Sequence, residues 1–312
     1  MGVSICLVLN FVVATTIDRG VDGDVLTYHG DELVYRDFQT RSIHPVRLAI
    51  QTEQRTLSNT SITVTAIPGI PLIQEGDDLG TMLGDALEAA DLRPERGDVL
   101  VVTHKIISKA EGRSVSLVDI QPSEQAIELA KKTNKDPALV ELILSESRTI
   151  LRHRPGLIIA EHRFGMVMAN AGIDQSNVAS DGDDQQVLLL PRDPDASSVV
   201  LRDALEQRFQ TTLAVIVADS VGRAWRNGIV GLAIGASGLP ALMDLRGRRD
   251  LDGRELQVTQ VGLADQIASA AELLMGEADE GTPAVLVRGL ALEGDERPAK
   301  ALIREPSEDL FR

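Results

Sequence analysis

Apolar and polar positions divide this 312-residue chain into two regimes. Up to about residue 60 there is no helical period, and Thr15–Thr60 is polar and rich in turn formers. Short strands fit only around Val25–Tyr28 and Leu33–Tyr35. Residues 1–60 are therefore expected to form an N-terminal extension of uncertain structure, poorly ordered or lying upstream of the true start, rather than a small accessory domain. The main domain is expected over residues 61–312.

Beyond Ile62 the punctuation becomes regular. Ile62–Ile67 alternates like a strand, and Pro68-Gly69-Ile70-Pro71 then forces an extended loop. Asp77-Asp78 precedes a helix predicted over Leu79–Ala90, where acids suit the positive N-terminus. Val99–Thr103 reads as a buried strand. Helices are predicted at Ser123–Lys132, Pro137–Glu146, Ser197–Phe209 and Leu263–Met275. Leu213–Ala218 is a further apolar strand with Asp219 at its carboxyl end, and Ala284–Val287 a late one. Gly228, Gly231, Gly235 and Gly238 recur at helical spacing, which places them on one helix face for close packing rather than phosphate binding. Strands and helices mixed in this way predict an α+β or α/β domain.

Composition narrows the functional classes. Hydrophobic residues make up 43% and charged residues 25%, the balance of a globular protein. Aromatics are only 3%, too few to stack many exposed bases. With a net charge of −16 the surface repels phosphate backbones and anionic membranes, so neither nucleic acid nor membrane is an expected partner. The single cysteine, Cys6, excludes an internal disulfide or a thiolate metal site. Val3–Ala14 is apolar but too short to span a bilayer, and no Lys or Arg precedes it, so a cytoplasmic chain is expected. P-loop, Rossmann fingerprint, nucleophile elbow and close-spaced zinc histidines are all missing from the sequence.

Four segments carry chemistry. Thr103-His104-Lys105-Ile106-Ile107-Ser108-Lys109-Ala110-Glu111-Gly112-Arg113 follows a buried strand with three cations able to meet phosphates, although two lysines four apart are also an ordinary solvated face. Gly172-Ile173-Asp174-Gln175-Ser176-Asn177 offers hard oxygen ligands for Mg²⁺ or Mn²⁺, yet on chemistry alone an Asx-turn at Asp174 is favoured. Asp219-Ser220-Val221-Gly222-Arg223-Ala224-Trp225-Arg226-Asn227-Gly228 puts an acid and a hydroxyl at a strand end, with the only Trp between two arginines. Met275-Gly276-Glu277-Ala278-Asp279-Glu280-Gly281-Thr282 is an acidic loop at a helix C-terminus, where a cation would relieve the dipole; a solvated loop is the simpler reading.

Taken jointly, these segments resemble the coenzyme F420-0:γ-glutamyl ligase family. Pro68–Pro71 with Gly76–Leu79, Leu188–Pro191 and Asp193–Ser197 add to the match, which runs in family order from about Ile62 to the C-terminus. Residues 1–60 have no counterpart. The resemblance implies GTP-dependent addition of L-glutamate to the deazaflavin coenzyme F420-0, then tail extension by γ-linkages. It also implies two divalent cations, with a monovalent cation as an accessory, and an intertwined homodimer with a family-specific α+β fold.

Carried over residue by residue, Asp174 and Asp219 would hold one metal, and Ser220 with Glu277 the other. Nucleotide contacts would fall on Ile70, Pro71, Leu72 and Ile73, on His104, Lys109 and Asn177, and on Met275, Gly276, Ala278, Asp279, Glu280, Gly281 and Thr282. His104 stands where some members have serine; a backbone contact would survive that change and a hydroxyl contact would not. Lys109 is expected to touch a phosphate, and Arg223 or Arg226 the anionic tail of the acceptor. A related carboxylate–amine ligase or GTP hydrolase with another acceptor, and a non-catalytic nucleotide-binding subunit, are the alternatives. The number of glutamates added, the preferred metal and the general base are not legible in the sequence.

Overall fold

In a computed structural model, the structure describes residues 25–29, 32–36, 43–45, 61–175 and 185–310. The chain divides into two compact units, residues 1–56 and 57–312. In the first, β1 (Val25–His29) pairs antiparallel with β2 (Glu32–Arg36), and β2 with β3 (Ile43–Pro45). The first two strands coincide with the alternating stretches of the sequence.

The second unit is α+β. It begins with β4 (Thr63–Ala66), then α1 (Leu79–Ala89), β5 (Val99–Thr103) and α2 (His104–Ala110). Asp78 caps α1, accepting from the Thr81 amide at 3.1 Å. After β6 (Ser114–Ser116) come α3 (Glu124–Thr133) and α4 (Pro137–Ser145), the latter capped by Asp136 with proline at its first position. A meander follows: β7 (Ser147–Arg154), β8 (Leu157–His162) and β9 (Val167–Ala169). Next are β10 (Gln186–Leu188), α5 (Pro194–Phe209), β11 (Ala214–Gly222) and β12 (Ile229–Ser237). The hairpin β13 (Leu242–Asp244) and β14 (Gln260–Gly262), then α6 (Leu263–Met275) and β15 (Ala284–Arg288), complete the unit.

The central sheet has the order β12-β11-β5-β15-β4, with β11 and β5 parallel and the other pairs antiparallel. Its strands are apolar on both faces because both faces are covered. Leu100, Val102, Val215, Val217 and Leu286 pack with α1 and α5, whereas Val99, Val101, Ile216, Val285 and Val287 pack with α6. A third core joins α3 and α4 to β8 and β10 through Leu139, Ile143, Ile158 and Val187. Glu146 ties this lobe to the end of α2: its Oε2 lies 3.0 Å from Arg113 Nη2, 3.0 Å from Arg163 Nε and 3.4 Å from His162 Nε2. Burial pushes the Glu146 carboxyl up, but the close approach of His162 and Arg113 and the charges of Arg113 and Arg163 outweigh it and hold the group at about 2.

Two expectations change. The spaced glycines lie on and beside a strand, not a helix, because Gly228–Gly238 brackets β12, and an extra residue in that strand turns Gly231 and Gly235 to opposite faces. Between the pairs Val217↔Gly235 and Ala218↔Ala233, Ile234 has no partner. Packing remains the reason for two of the glycines. A Cβ on Gly231 would come within 2.7 Å of the Ala268 carbonyl oxygen in α6, and one on Gly235 within 2.2 Å of the Pro194 carbonyl oxygen in α5. Asp219, expected just past its strand, lies inside it, opposite Leu232. The apolar run ends at Ala218, but backbone pairing continues to Gly222. Among the described residues no helix is long and apolar enough to cross a membrane.

Candidate active site

A cleft of about 680 Å³ opens where the parallel strands β5 and β11 end. This is the expected place: in sheets with a parallel centre, ligands meet residues beyond the carboxyl ends of those strands. Register brings Ala218 level with Thr103, so the start of α2 and the polar part of β11 adjoin. Two irregular segments supply further walls, Ile70–Ile73 before α1 and Met275–Pro283 after α6.

Most residues singled out in the sequence meet here. Ile70, Pro71, Leu72, Ile73, Lys109, Asp174, Asp219, Ser220 and all of Met275–Thr282 line the cleft. Asn177 lies outside the described residues. Arg223 and Arg226 are exposed on the β11–β12 connection and do not line the cleft, although that connection leaves its rim at Gly222 and returns at Ile229. His104 does not line it either. It is buried behind Asp219, with Nε2 3.2 Å from Asp219 Oδ1 in an orientation that makes no hydrogen bond, and Nδ1 3.4 Å from Ser108 Oγ. Its side chain therefore supports Asp219 from beneath.

The Asx-turn expected at Asp174 would involve residues 176 and 177, which lie outside the described residues. The Asp174 backbone forms an antiparallel bridge with Leu188, N–H to O at 2.9 and 2.8 Å, and its Oδ2 lies 2.8 Å from Lys105 Nζ. Lys109, one turn on in α2, has its ammonium pushed below the ordinary range by burial and by Lys105, with Asp174 opposing. Between β11 and α6, Ser220 Oγ donates to Glu272 and contacts Glu277 Oε1 at 2.8 Å. Burial raises the Glu272 carboxyl to about 7; Ser220 opposes the shift, and Glu277 and Asp219 reinforce it.

Lys105, one of the three cations of the Thr103–Arg113 run, thus lines the site, and Glu272, to which the sequence motifs assign no role, joins it. Glu272 had a signal: it follows Ala264 and Ala268 at steps of four, which puts an acid on the buried stripe of α6.

The donors are all hard oxygens, which suits Mg²⁺ or Mn²⁺, and a divalent cation would offset both the burial that raises Glu272 and the nearby Glu277 and Asp219 charges. Among the described residues, however, no three Asp, Glu, His or Cys side chains converge tightly enough to hold an ion as they stand. Asp174 and Asp219 are instead each paired with a basic neighbour.

Comparison with known proteins decides the family. The model of the F420-0:gamma-glutamyl ligase family matches residues 69–289, which include every described lining residue of the cleft. The chain belongs to the F420-0:gamma-glutamyl ligase family. It is 48% identical to the coenzyme F420:L-glutamate ligase of Methanopyrus kandleri over 256 residues, covering 81% of this chain and 98% of that protein. The enzymes of the same name from Methanothermobacter thermautotrophicus and Natronomonas pharaonis are 44% and 42% identical, over 80% and 79% of this chain and 99% and 93% of their own length.

Proposed function

We propose that the chain is a GTP-dependent coenzyme F420-0:L-glutamate ligase that forms its amide through an acylphosphate and then lengthens the tail by γ-linkages. One observation carries the reading: side chains from segments spread between Ile70 and Thr282 share a single cleft.

The chemistry requires activation, because a carboxylate does not acylate an amine. The γ-phosphoryl group of GTP passes to the acceptor carboxylate oxygen, breaking its bond to the β-phosphate oxygen and releasing GDP. The α-amine nitrogen of glutamate attacks the acyl carbon, the C–O bond to phosphate breaks, and phosphate leaves as the amine loses its proton. Lys109 and Lys105 hold phosphoryl oxygens from α2, and the Ile70–Ile73 and Met275–Thr282 walls enclose the nucleotide and exclude water. Asp174 and Asp219 would hold one divalent cation and Ser220 with Glu277 the other; such ions neutralise phosphoryl charge and align donor with acceptor. Arg223 and Arg226 meet the anionic tail of the acceptor. The enzyme works in the cytoplasm as a homodimer, with a monovalent cation as an accessory.

Incubation with GTP, Mn²⁺, L-glutamate and coenzyme F420-0, followed by mass spectrometry, tests this directly. The expected result is glutamylated acceptor with stoichiometric GDP and phosphate. GTP turnover without that product would leave a hydrolase or a ligase with another acceptor, and no turnover would leave a nucleotide-binding subunit.

A further inference from the structure

Trp225 is the only tryptophan of the chain and is 88% exposed. Its position is constrained. Gly222 pairs with Ile229 across the β11–β12 ladder, and both line the cleft, so residues 223–228 form a short connection tethered to the rim at both ends. Trp225 adopts φ +67°, a left-handed conformation that costs a non-glycine residue energy and is kept where something is gained. Arg223 and Arg226 flank it and form no ion pair among the described residues, in a chain of 47 acidic residues. An exposed indole between two guanidinium groups suits a planar conjugated ring joined to an anionic tail.

Two anionic substrates must meet at the acids of β11, so each needs its own cationic pole. Lys105 and Lys109 provide one, beside Asp174 on the helix that starts just after Thr103, which is level with Ala218. The arginine pair lies further along the strand: Gly222 is three residues past Asp219, about 10 Å at the rise of an extended strand. That offset suits a ligand whose ring and reactive carboxylate are separated by a tail.

We infer that Trp225 is the platform on which the ring system of the acceptor stacks, with Arg223 and Arg226 beside it meeting the anionic tail as that tail runs back along β11 to the acidic centre. This assignment rests on the ligase reading above. It makes Trp225 a specificity-determining residue that recognises the acceptor and leaves the nucleotide alone.

The lone indole allows the test to be made on the intact protein. Acrylamide quenching of its emission is expected to be steep in the free protein, several-fold shallower with saturating coenzyme F420-0, and unchanged by GTP. Trp225→Ala is expected to raise the KM for the acceptor about tenfold, the scale of one lost aromatic stack, with the KM for GTP unchanged and Trp225→Phe recovering most of the loss. An unchanged slope with acceptor would overturn the inference. So would a slope reduced by GTP alone, which would assign the indole to guanine. A slope already shallow in the free protein would assign the ring to a second copy of the chain, and unaltered acceptor KM in Trp225→Ala would exclude it from substrate binding. A wild-type protein that makes no glutamylated product tells against the ligase reading itself, whereas product formation combined with any of those four results tells against Trp225 alone.

Discussion

Lys105 Nζ lies 2.8 Å from Asp174 Oδ2, joining the first turn of α2 to the segment that bridges to Leu188. The ammonium thus sits beside an acid that would otherwise carry unbalanced charge within the cleft. When an anionic phosphate enters, the same ammonium can bridge acid and ligand. Lys105→Met is expected to raise the KM for GTP about tenfold, the loss of one charge-assisted hydrogen bond, without lowering Tm by more than a few degrees. Steady-state kinetics and thermal unfolding check this; an unchanged KM would confine Lys105 to holding Asp174.

Asp219 is held by sheet pairing on its backbone, which an asparagine of the same shape leaves intact. Asp219→Asn is expected to lower ligation by at least about a hundredfold while leaving the circular dichroism spectrum unchanged. Retained activity would remove Asp219 from the reacting centre.

Gly235 faces the first turn of α5 with no room for a methyl group. Gly235→Ala should therefore destabilise the protein by about 1–3 kcal/mol, because backbone must move away from backbone. Denaturant unfolding measures this. Nucleotide affinity in the folded fraction is expected to stay unchanged, which separates a packing glycine from a phosphate-cradling one.

Glu146 predicts an acid limb in the stability curve. Its folded value, about 2, lies below its ordinary 4.5, so the native state favours the ionised form. The associated stability is complete above roughly pH 4.5 and is lost as pH falls towards 2, on the order of 3 kcal/mol at most. Glu146→Gln should be less stable at neutral pH, because Arg113 and His162 lose their anion, and should show a flatter dependence between pH 5 and 2. Tm measured across that range would show the two curves converging as acid is added; parallel curves would remove Glu146 as the cause.

Elements with a strong period were legible in the sequence. Val99–Thr103 and Leu263–Met275 coincide with β5 and α6 because their apolar pattern and end signals agree. What failed depended on partners distant in sequence. The glycines around β12 mimic a helix face, but a bulge set by pairing with β11 sends Gly231 and Gly235 to opposite faces of the sheet, against α6 and α5. Asp219 falls inside its strand because Leu232 pairs with it, which no local rule anticipates. The short strands β6, β9 and β10 gain their pairing only from the third lobe. At the site, the lining positions of Asp219, Ser220 and Glu277 were readable as motifs, whereas the pairing of Asp174 with Lys105 and the approach of Glu272 to Ser220 arise only from folding.

The seam between β12 and α6 has a mechanical consequence. Ser220 pairs with Gly231, whose missing side chain lets the Ala268 backbone approach, and Glu272 is one helical turn beyond Ala268. The gap between the β11 hydroxyl and that acid is therefore gauged by main chain against main chain, with no flexible side chain acting as a shim. This side of the cleft is a fixed jaw. Any opening or tightening around substrates falls to the irregular walls, Ile70–Ile73 and the loop beyond Glu277.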